Sequence, residues 1–192
     1  MIELIKIAKY ELKPTKGDNY KYIKNVLIQK INPDTLCPGM IAIQSDVLII
    51  STLKRSINCV KYIGKSKCII DKRLREVPFD FELSGFNKTD WINDGSKVVR
   101  QAFKKLFIDD MLEIKRKEIF DEIRGVLDVC KSYQKNSRSV TIVSHSFRLK
   151  LIIAYLETRG EIEQKPELIN QYIFDDKKTL DFCDTIRIDV GF

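Results

Sequence analysis

The sequence contains a single histidine, His145, and no apolar run of the roughly 18 residues that a membrane-spanning helix needs. Its five cysteines are scattered and include no Cys-x-x-Cys pair, which argues against a disulfide framework and against a zinc cluster. With one histidine, a metal site would depend almost wholly on carboxylates. We therefore expect no metal and no membrane contact, and the sequence indicates no cofactor.

The charge pattern excludes some partners and favours others. The first six residues mix acidic and basic side chains where a signal peptide needs an apolar stretch, so we expect a cytoplasmic protein. A formal charge of +7 favours anionic partners, although 27 acidic residues are interleaved with 34 basic ones. Since the sequence has no zinc-finger spacing and no aromatic RNA-binding signature, nucleic acid is not expected as a partner.

Composition and element order predict the fold. With 192 residues, 44% of them hydrophobic, the chain suits one globular domain over 1–192. Apolar patterning predicts strands over 2–8, 46–51, 67–70, 139–144 and 185–190. It predicts helices over 21–31, 53–63, 98–133 (with a break near Asp109-Asp110) and 147–157, a helical turn at 40–44, and an extended loop over 74–95. This alternation is typical of an α/β fold, a three-layer α/β/α sandwich with a mostly parallel central sheet.

Polar residues follow the predicted strands at the edge where parallel sheets bind ligands. Ser51 and Arg55 follow the second strand, and His145 and Ser146 follow the fourth. The segment after the third strand holds Arg73, Arg75 and Glu76, and the first strand leads into Lys9 and Tyr10. An arginine one turn into a helix, a strand-end histidine and the amides of a helix N-terminus together suit an anion.

Four segments resemble motifs of the histidine phosphatase (phosphoglycerate mutase-like) superfamily, in the family's order. Residues 50–60, Ile-Ser-Thr-Leu-Lys-Arg-Ser-Ile-Asn-Cys-Val, resemble its Ser-Pro-Leu-x-Arg-Ala-x-x-Thr-Ala signature. Residues 74–82 resemble its Leu-x-Glu-x-x-Phe-Gly-x-x-Glu loop, and residues 140–146 its strand followed by Ser-His-Gly. Residues 183–188 are similar to its closing strand. The resemblance covers most of the chain and implies the phosphoglycerate mutase-like fold.

The resemblance also implies roles for individual residues. Arg55 matches the arginine that grips the phosphoryl group, and Glu76 matches the acid that many members use as proton donor to the leaving oxygen. His145 matches the second histidine, which contacts the phosphoryl group and stabilises its transferring charge. Lys150 and Arg124 lie where members carry basic residues. Beside Arg55, we expect Ser51, Ser146 and Lys9 to take part in phosphate binding.

The family's defining Arg-His-Gly motif, whose histidine is the nucleophile, is missing. Its counterparts are Lys9 and Tyr10, with the register open by one residue, and since His145 is the only histidine no register restores the motif. A tyrosine with a pKa of about 10 is mostly protonated at pH 7, which makes it a poor nucleophile. Lys9 lacks the bidentate fork of arginine. Ser146 adds a side chain where the family has glycine.

Three interpretations remain open. The first is a catalytically impaired domain that keeps a pocket for a phosphorylated small molecule or phosphoprotein, or that serves as a partner-binding pseudoenzyme. The second is an active phosphomonoesterase, of phosphatase or mutase type, in which Tyr10 attacks or His145 acts as nucleophile or base. The third is a nucleic-acid or scaffold role driven by the +7 charge. The presence of Arg55, Glu76 and His145 without the Arg-His-Gly motif favours the first.

Overall fold

The computed structural model describes residues 2–6, 16–29, 45–60, 67–136, 139–173 and 185–188. Within these ranges the strands form one five-stranded sheet in the order β3-β2-β4-β1-β5. The strands are β1 (Ile2–Lys6), β2 (Val47–Ser51), β3 (Lys67–Asp71), β4 (Val140–Ser144) and β5 (Thr185–Ile188). The first four run parallel and β5 pairs antiparallel with β1. The predicted α/β class with a mostly parallel central sheet is confirmed.

Seven α-helices accompany this sheet in the described ranges. They are α1 (Lys16–Leu27), α2 (Lys54–Cys59), α3 (Lys88–Asp94), α4 (Ser96–Ile108), α5 (Arg116–Gln134), α6 (Ser146–Glu157) and α7 (Asn170–Ile173). Short 3-10 turns lie at Lys72–Leu74, Phe81–Ser84, Glu161–Glu163 and Pro166–Ile169.

Helices cover both faces of the sheet, as predicted. All five residues of β2 and all five of β4 are buried, which is the pattern of strands covered on two sides. The crossover from β2 to β3 through α2 and the crossover from β3 back to β4 through α5 run in opposite directions along the sheet. Because such crossovers are right-handed, the two helices lie on opposite faces. The result is a three-layer sandwich.

The longest predicted helix is two helices in the structure. Between α4 and α5 the chain turns at Asp109-Asp110, and Asp110 takes a left-handed conformation with φ of 54°. The break predicted near these residues is thus confirmed. The first helix starts at Lys16, five residues earlier than predicted, and ends at Leu27 because Gln29 adopts a left-handed φ of 57°.

The prediction of an extended loop over 74–95 is wrong. This segment contains the 3-10 turn Phe81–Ser84 and the helix α3. The side chain of Asn87 accepts from the amides of Thr89 and Asp90, and Asp90 accepts in return from the Asn87 amide. This reciprocal capping box starts the helix, and the buried Trp91 anchors it. An Asn followed three residues later by Asp was therefore the signal that predicts it.

Some predictions fall beyond the described residues. These are the outer ends of the strands predicted over 2–8 and 185–190, the end of the helix predicted over 53–63, and the turn predicted at 40–44. Among the helices that the structure describes, none is both long and apolar enough to span a bilayer. That residues 1–192 form a single domain stays a prediction.

Candidate anion-binding site

The parallel strands end together at one edge of the sheet, and the candidate residues lie directly after these strand ends. Ile50 pairs with Val143 between β2 and β4, and Ser51 pairs with Asp71 between β2 and β3. The chain enters α2 and α6 directly after β2 and β4. This register brings the residues after Ser51, after Asp71 and after β4 to the same place, as a parallel sheet requires.

Arg55 and His145 are in direct contact at the centre of this edge. Both are buried, with 3% and 2% of their surface exposed. The Nε of Arg55 donates to Nδ1 of His145 at 3.1 Å. The Nε2 of His145 lies 3.0 Å from Oγ of Ser51 and 3.1 Å from Oγ of Ser56. Three of these side chains were predicted as site residues, and Ser56 was not.

The contact with Arg55 fixes the protonation state of His145. A guanidinium only donates, so Nδ1 must hold a lone pair, and the ring proton of neutral His145 sits on Nε2. Burial lowers the pKa of His145 well below 6.5, and the charges of Arg55, Arg148 and Arg75 lower it further. His145 is therefore a neutral ring whose Nε2–H can donate to a serine oxygen. Both ring nitrogens are engaged.

The carboxyl of Glu76 lies beside this pair and contacts the first turn of α6. Its carboxylate accepts from the amides of Val77 at 3.2 Å, Phe147 at 3.3 Å and Arg148 at 3.0 Å. Two α6 amides that the sequence offered to a ligand anion are thus bound by Glu76. Burial raises the pKa of the Glu76 carboxyl, while the backbone hydrogen bonds and Arg55 oppose that rise. This carboxyl holds its proton to a higher pH than an exposed glutamate does.

Arg148 lies behind the site and was not predicted. It is 1% exposed, its Nε donates to the carbonyl of Arg75 at 2.9 Å, and its Nη2 pairs with Glu122 of α5 at 2.8 Å. Its Nη1 is buried without a hydrogen-bond partner. Apolar residues at 147, 149 and 151–154 lie on all sides of α6, and all of 147–154 is buried, so a charge there must be paired. That pattern was the signal for Arg148.

Helix α1 borders the site through Tyr22. The positive charge of Arg55 acts to lower the pKa of Tyr22, but burial outweighs it and the pKa of this phenol is raised. Tyr22 therefore stays protonated at neutral pH and is close enough to Arg55 to be influenced by it. Spacing alone did not indicate that this helix reaches the site.

The remaining predicted site residues are placed less centrally or lie outside the described chain. Ser146 is half-buried at the first position of α6. Lys150 is buried and donates to the carbonyl of Ile173 at 3.4 Å, whereas Arg124 pairs with Asp121 and Glu163. These interactions of Lys150 and Arg124 do not involve Arg55 or His145. The predicted residues Lys9 and Tyr10 lie outside the described residues.

No group of three or more histidine, cysteine, aspartate or glutamate side chains is placed to hold a metal ion in the described ranges. The cluster around Arg55 instead combines the carboxyl of Glu76 with arginines, a neutral imidazole and hydroxyl groups as donors. Such donors suit an anion, and phosphoryl oxygens in particular.

Comparisons with known proteins matched solved structures at low identity and no family. No protein-family model matches the chain, and no curated protein matches it. Among solved structures, a phosphoserine phosphatase from Entamoeba histolytica in complex with 3-phosphoglyceric acid is 17% identical, with 96% of this chain and 87% of that chain covered and a TM-score of 0.45. A mutant of the phosphoserine phosphatase from the same organism, in complex with phosphoserine, is 14% identical over 96% and 87%, with a TM-score of 0.42.

A proposed alpha-ribazole-5'-P phosphatase from Escherichia coli K-12 is 15% identical, with 81% of this chain and 78% of that chain covered and a TM-score of 0.41. At identities this low, only the residues of this chain indicate what it binds.

Proposed function

We propose that this chain is a divergent histidine-phosphatase-like domain that binds a phosphorylated ligand at Arg55 and His145 without the phosphohistidine chemistry of the family. The observation that supports it most is the buried hydrogen bond between Arg55 Nε and His145 Nδ1. It orients the guanidinium at the carboxyl ends of β2 and β4. The ligand is a phosphorylated small molecule or a phosphoprotein.

The state of His145 favours binding over attack. A nucleophilic or basic imidazole needs a ring nitrogen with an available lone pair. The lone pair at Nδ1 accepts from Arg55, and Nε2 carries the proton. Since His145 is also the sole histidine, no second imidazole replaces it. The Nε2–H of His145 lies against the hydroxyls of Ser51 and Ser56, and we expect an anion oxygen to take their place as its acceptor.

One observation favours a second candidate, an active phosphomonoesterase. Burial raises the pKa of the Glu76 carboxyl close to Arg55, and a raised carboxyl pKa is what a proton donor to a leaving oxygen requires. That route still needs a nucleophile, and Tyr10 is the residue that the sequence offers. Hydrolysis of p-nitrophenyl phosphate that disappears in Tyr10→Phe would replace the first proposal with this one.

Calorimetric titration of the protein with phenyl phosphate tests the binding proposal. We expect saturable binding that Arg55→Ala weakens by roughly 10- to 150-fold, since hydrogen bonds to charged groups contribute about 1.5–3 kcal/mol. Arg55→Lys keeps the charge but loses the Nε–H that donates to His145. We expect its affinity for phenyl phosphate to lie between those of wild type and Arg55→Ala.

The matched control is Arg159→Gln. Arg159 is exposed just beyond the far end of α6, whose 12 residues span about 18 Å. The variant therefore loses the same charge as Arg55→Ala, but far from the site. Equal binding by wild type, Arg159→Gln and a folded Arg55→Lys or Arg55→Ala protein would contradict the proposal. Tryptophan fluorescence during urea unfolding shows that each variant is folded.

A further inference from the structure

The exposed guanidinium of Arg75 lies outside the hydrogen-bonded cluster around Arg55 and His145. Arg75 directly precedes Glu76, and its carbonyl accepts from Nε of the buried Arg148 at 2.9 Å. The charge of Arg75 also lowers the pKa of the buried His145. Arg75 is itself exposed, whereas Arg55 and Arg148 are buried. Arg75 is therefore close to the anion site yet accessible from its rim.

A neutral side chain holds this guanidinium in place. The Nη2 of Arg75 donates to Oε1 of Gln29 at 2.6 Å, and Nε2 of Gln29 donates to the carbonyl of Glu76 at 2.6 Å. Both ends of the Gln29 amide are used, which fixes its orientation. Gln29 reaches this position from the left-handed turn that ends α1. The tether orients Arg75 through a neutral partner, so within the described ranges it brings no negative charge to the guanidinium.

Two other arginines near the site, Arg73 and Arg148, are paired with carboxylates. Arg73 pairs with Asp71 at 2.6 Å, and Arg148 pairs with Glu122 at 2.8 Å. Within the part of the chain that the structure describes, the hydrogen bond of the Arg75 guanidinium goes to an amide oxygen and not to a carboxylate. An oriented, accessible guanidinium with a neutral partner suits a carboxylate or phosphate oxygen of a ligand.

We propose that Arg75, held by Gln29, is a specificity-determining residue that binds a second anionic group of the ligand. The inference rests on the proposed function, since Arg55 and His145 take the phosphoryl group. The ligand class is then a phosphate monoester that carries a carboxylate or a further phosphate a few bonds away. A monoester with a neutral group in that place binds more weakly.

The test compares ligands that differ only in that second charge. The probes are 2-phosphoglycolate with its carboxamide, and 4-carboxyphenyl phosphate with 4-carbamoylphenyl phosphate, so that a short and a long spacer are both sampled. We expect wild type to prefer the carboxylate in at least one pair by about tenfold, the size of one charge-assisted hydrogen bond at an exposed site.

Variants assign that preference to Arg75. Arg75→Gln is expected to bind both members of the pair equally while keeping its affinity for the carboxamide, and Arg75→Lys to keep part of the preference. Gln29→Ala is expected to reduce the preference because the guanidinium loses its anchor. Arg159→Gln, with the same loss of charge far from the site, is expected to behave as wild type.

Two results overturn the inference in different ways. If the carboxamides bind but no pair shows a preference, or if the preference survives in Arg75→Gln, then Arg75 does not read a second anion, although the phosphate site stands. If no member of either pair binds wild type, the proposed function fails and this inference fails with it.

Discussion

The buried, neutral state of His145 predicts how stability depends on pH. The folded-state pKa of His145 is well below 6.5, whereas in the unfolded chain it takes its ordinary value of about 6.5. Below pH 6.5 the unfolded state therefore binds one more proton than the folded state, and acid favours unfolding. This destabilisation by His145 is absent above pH 6.5, and it grows as the pH falls towards the pKa of the folded state.

The size of the effect follows from that one proton. From about pH 7.5 to about pH 5.5 the free energy of unfolding should fall by about 1.4 kcal/mol on account of His145. Glu76 acts in the opposite direction, because its raised pKa makes the folded state less favourable as the pH rises above about 4.5. The two contributions overlap, so the total alone does not measure either.

A difference between proteins isolates His145. Urea unfolding of wild type and His145→Asn is followed by fluorescence of the single, buried Trp91 across this pH range. The asparagine oxygen is placed to accept from Arg55, and it does not titrate. We expect the stability difference between the two proteins to shrink by about 1.4 kcal/mol as the pH falls from about 7.5 to about 5.5. A difference that stays constant over this range would refute the buried neutral imidazole.

Three further predictions concern stability, each measured by urea unfolding. Glu76→Gln should cost roughly 1–3 kcal/mol, because an amide has one acceptor oxygen where the carboxylate accepts three backbone amides, and a neutral effect would contradict that role. Gly125→Ala places a Cβ against Nη1 of Arg73, so it should stabilise α5 by about 0.8–1 kcal/mol in an Arg73→Ala background and by less in wild type; equal effects in both backgrounds would show that the two residues are independent. Glu122→Ala leaves the 1% exposed Arg148 without its carboxylate and should cost about 3 kcal/mol, but much less beside Arg148→Met, and equal costs would argue against the buried pair.

The sequence predicted the sheet and the core of the site for physical reasons that are local. The apolar runs of β2 and β4 exceed what a half-exposed strand tolerates, so their central position in a parallel sheet could be inferred. Strand ends then placed Arg55 and His145 at one edge. The contact between them, and the hydroxyl of Ser56 beside the ring, needed coordinates.

Other features of the site are contacts between segments that are far apart in the sequence, and the local residue pattern does not predict them. Glu76 binds amides about 70 residues further along the chain, at the start of α6. Gln29 reaches Arg75 from a left-handed turn that propensity does not predict for glutamine. The capping box at Asn87, by contrast, is a local pattern within four residues of sequence, and it predicts the start of α3.

The most direct test of phosphate binding uses the single histidine as a probe. In a ¹⁵N-histidine-labelled protein the imidazole signals belong to His145 alone. Titration with phenyl phosphate should shift these signals in a saturable way, with Nε2 remaining the protonated nitrogen, and folded Arg55→Lys should require a higher concentration. Arg159→Gln should titrate as wild type does. Two results would contradict a phosphate site at Arg55 and His145. One is calorimetric saturation by phenyl phosphate without any change in the imidazole signals, and the other is the absence of both a calorimetric signal and an imidazole shift.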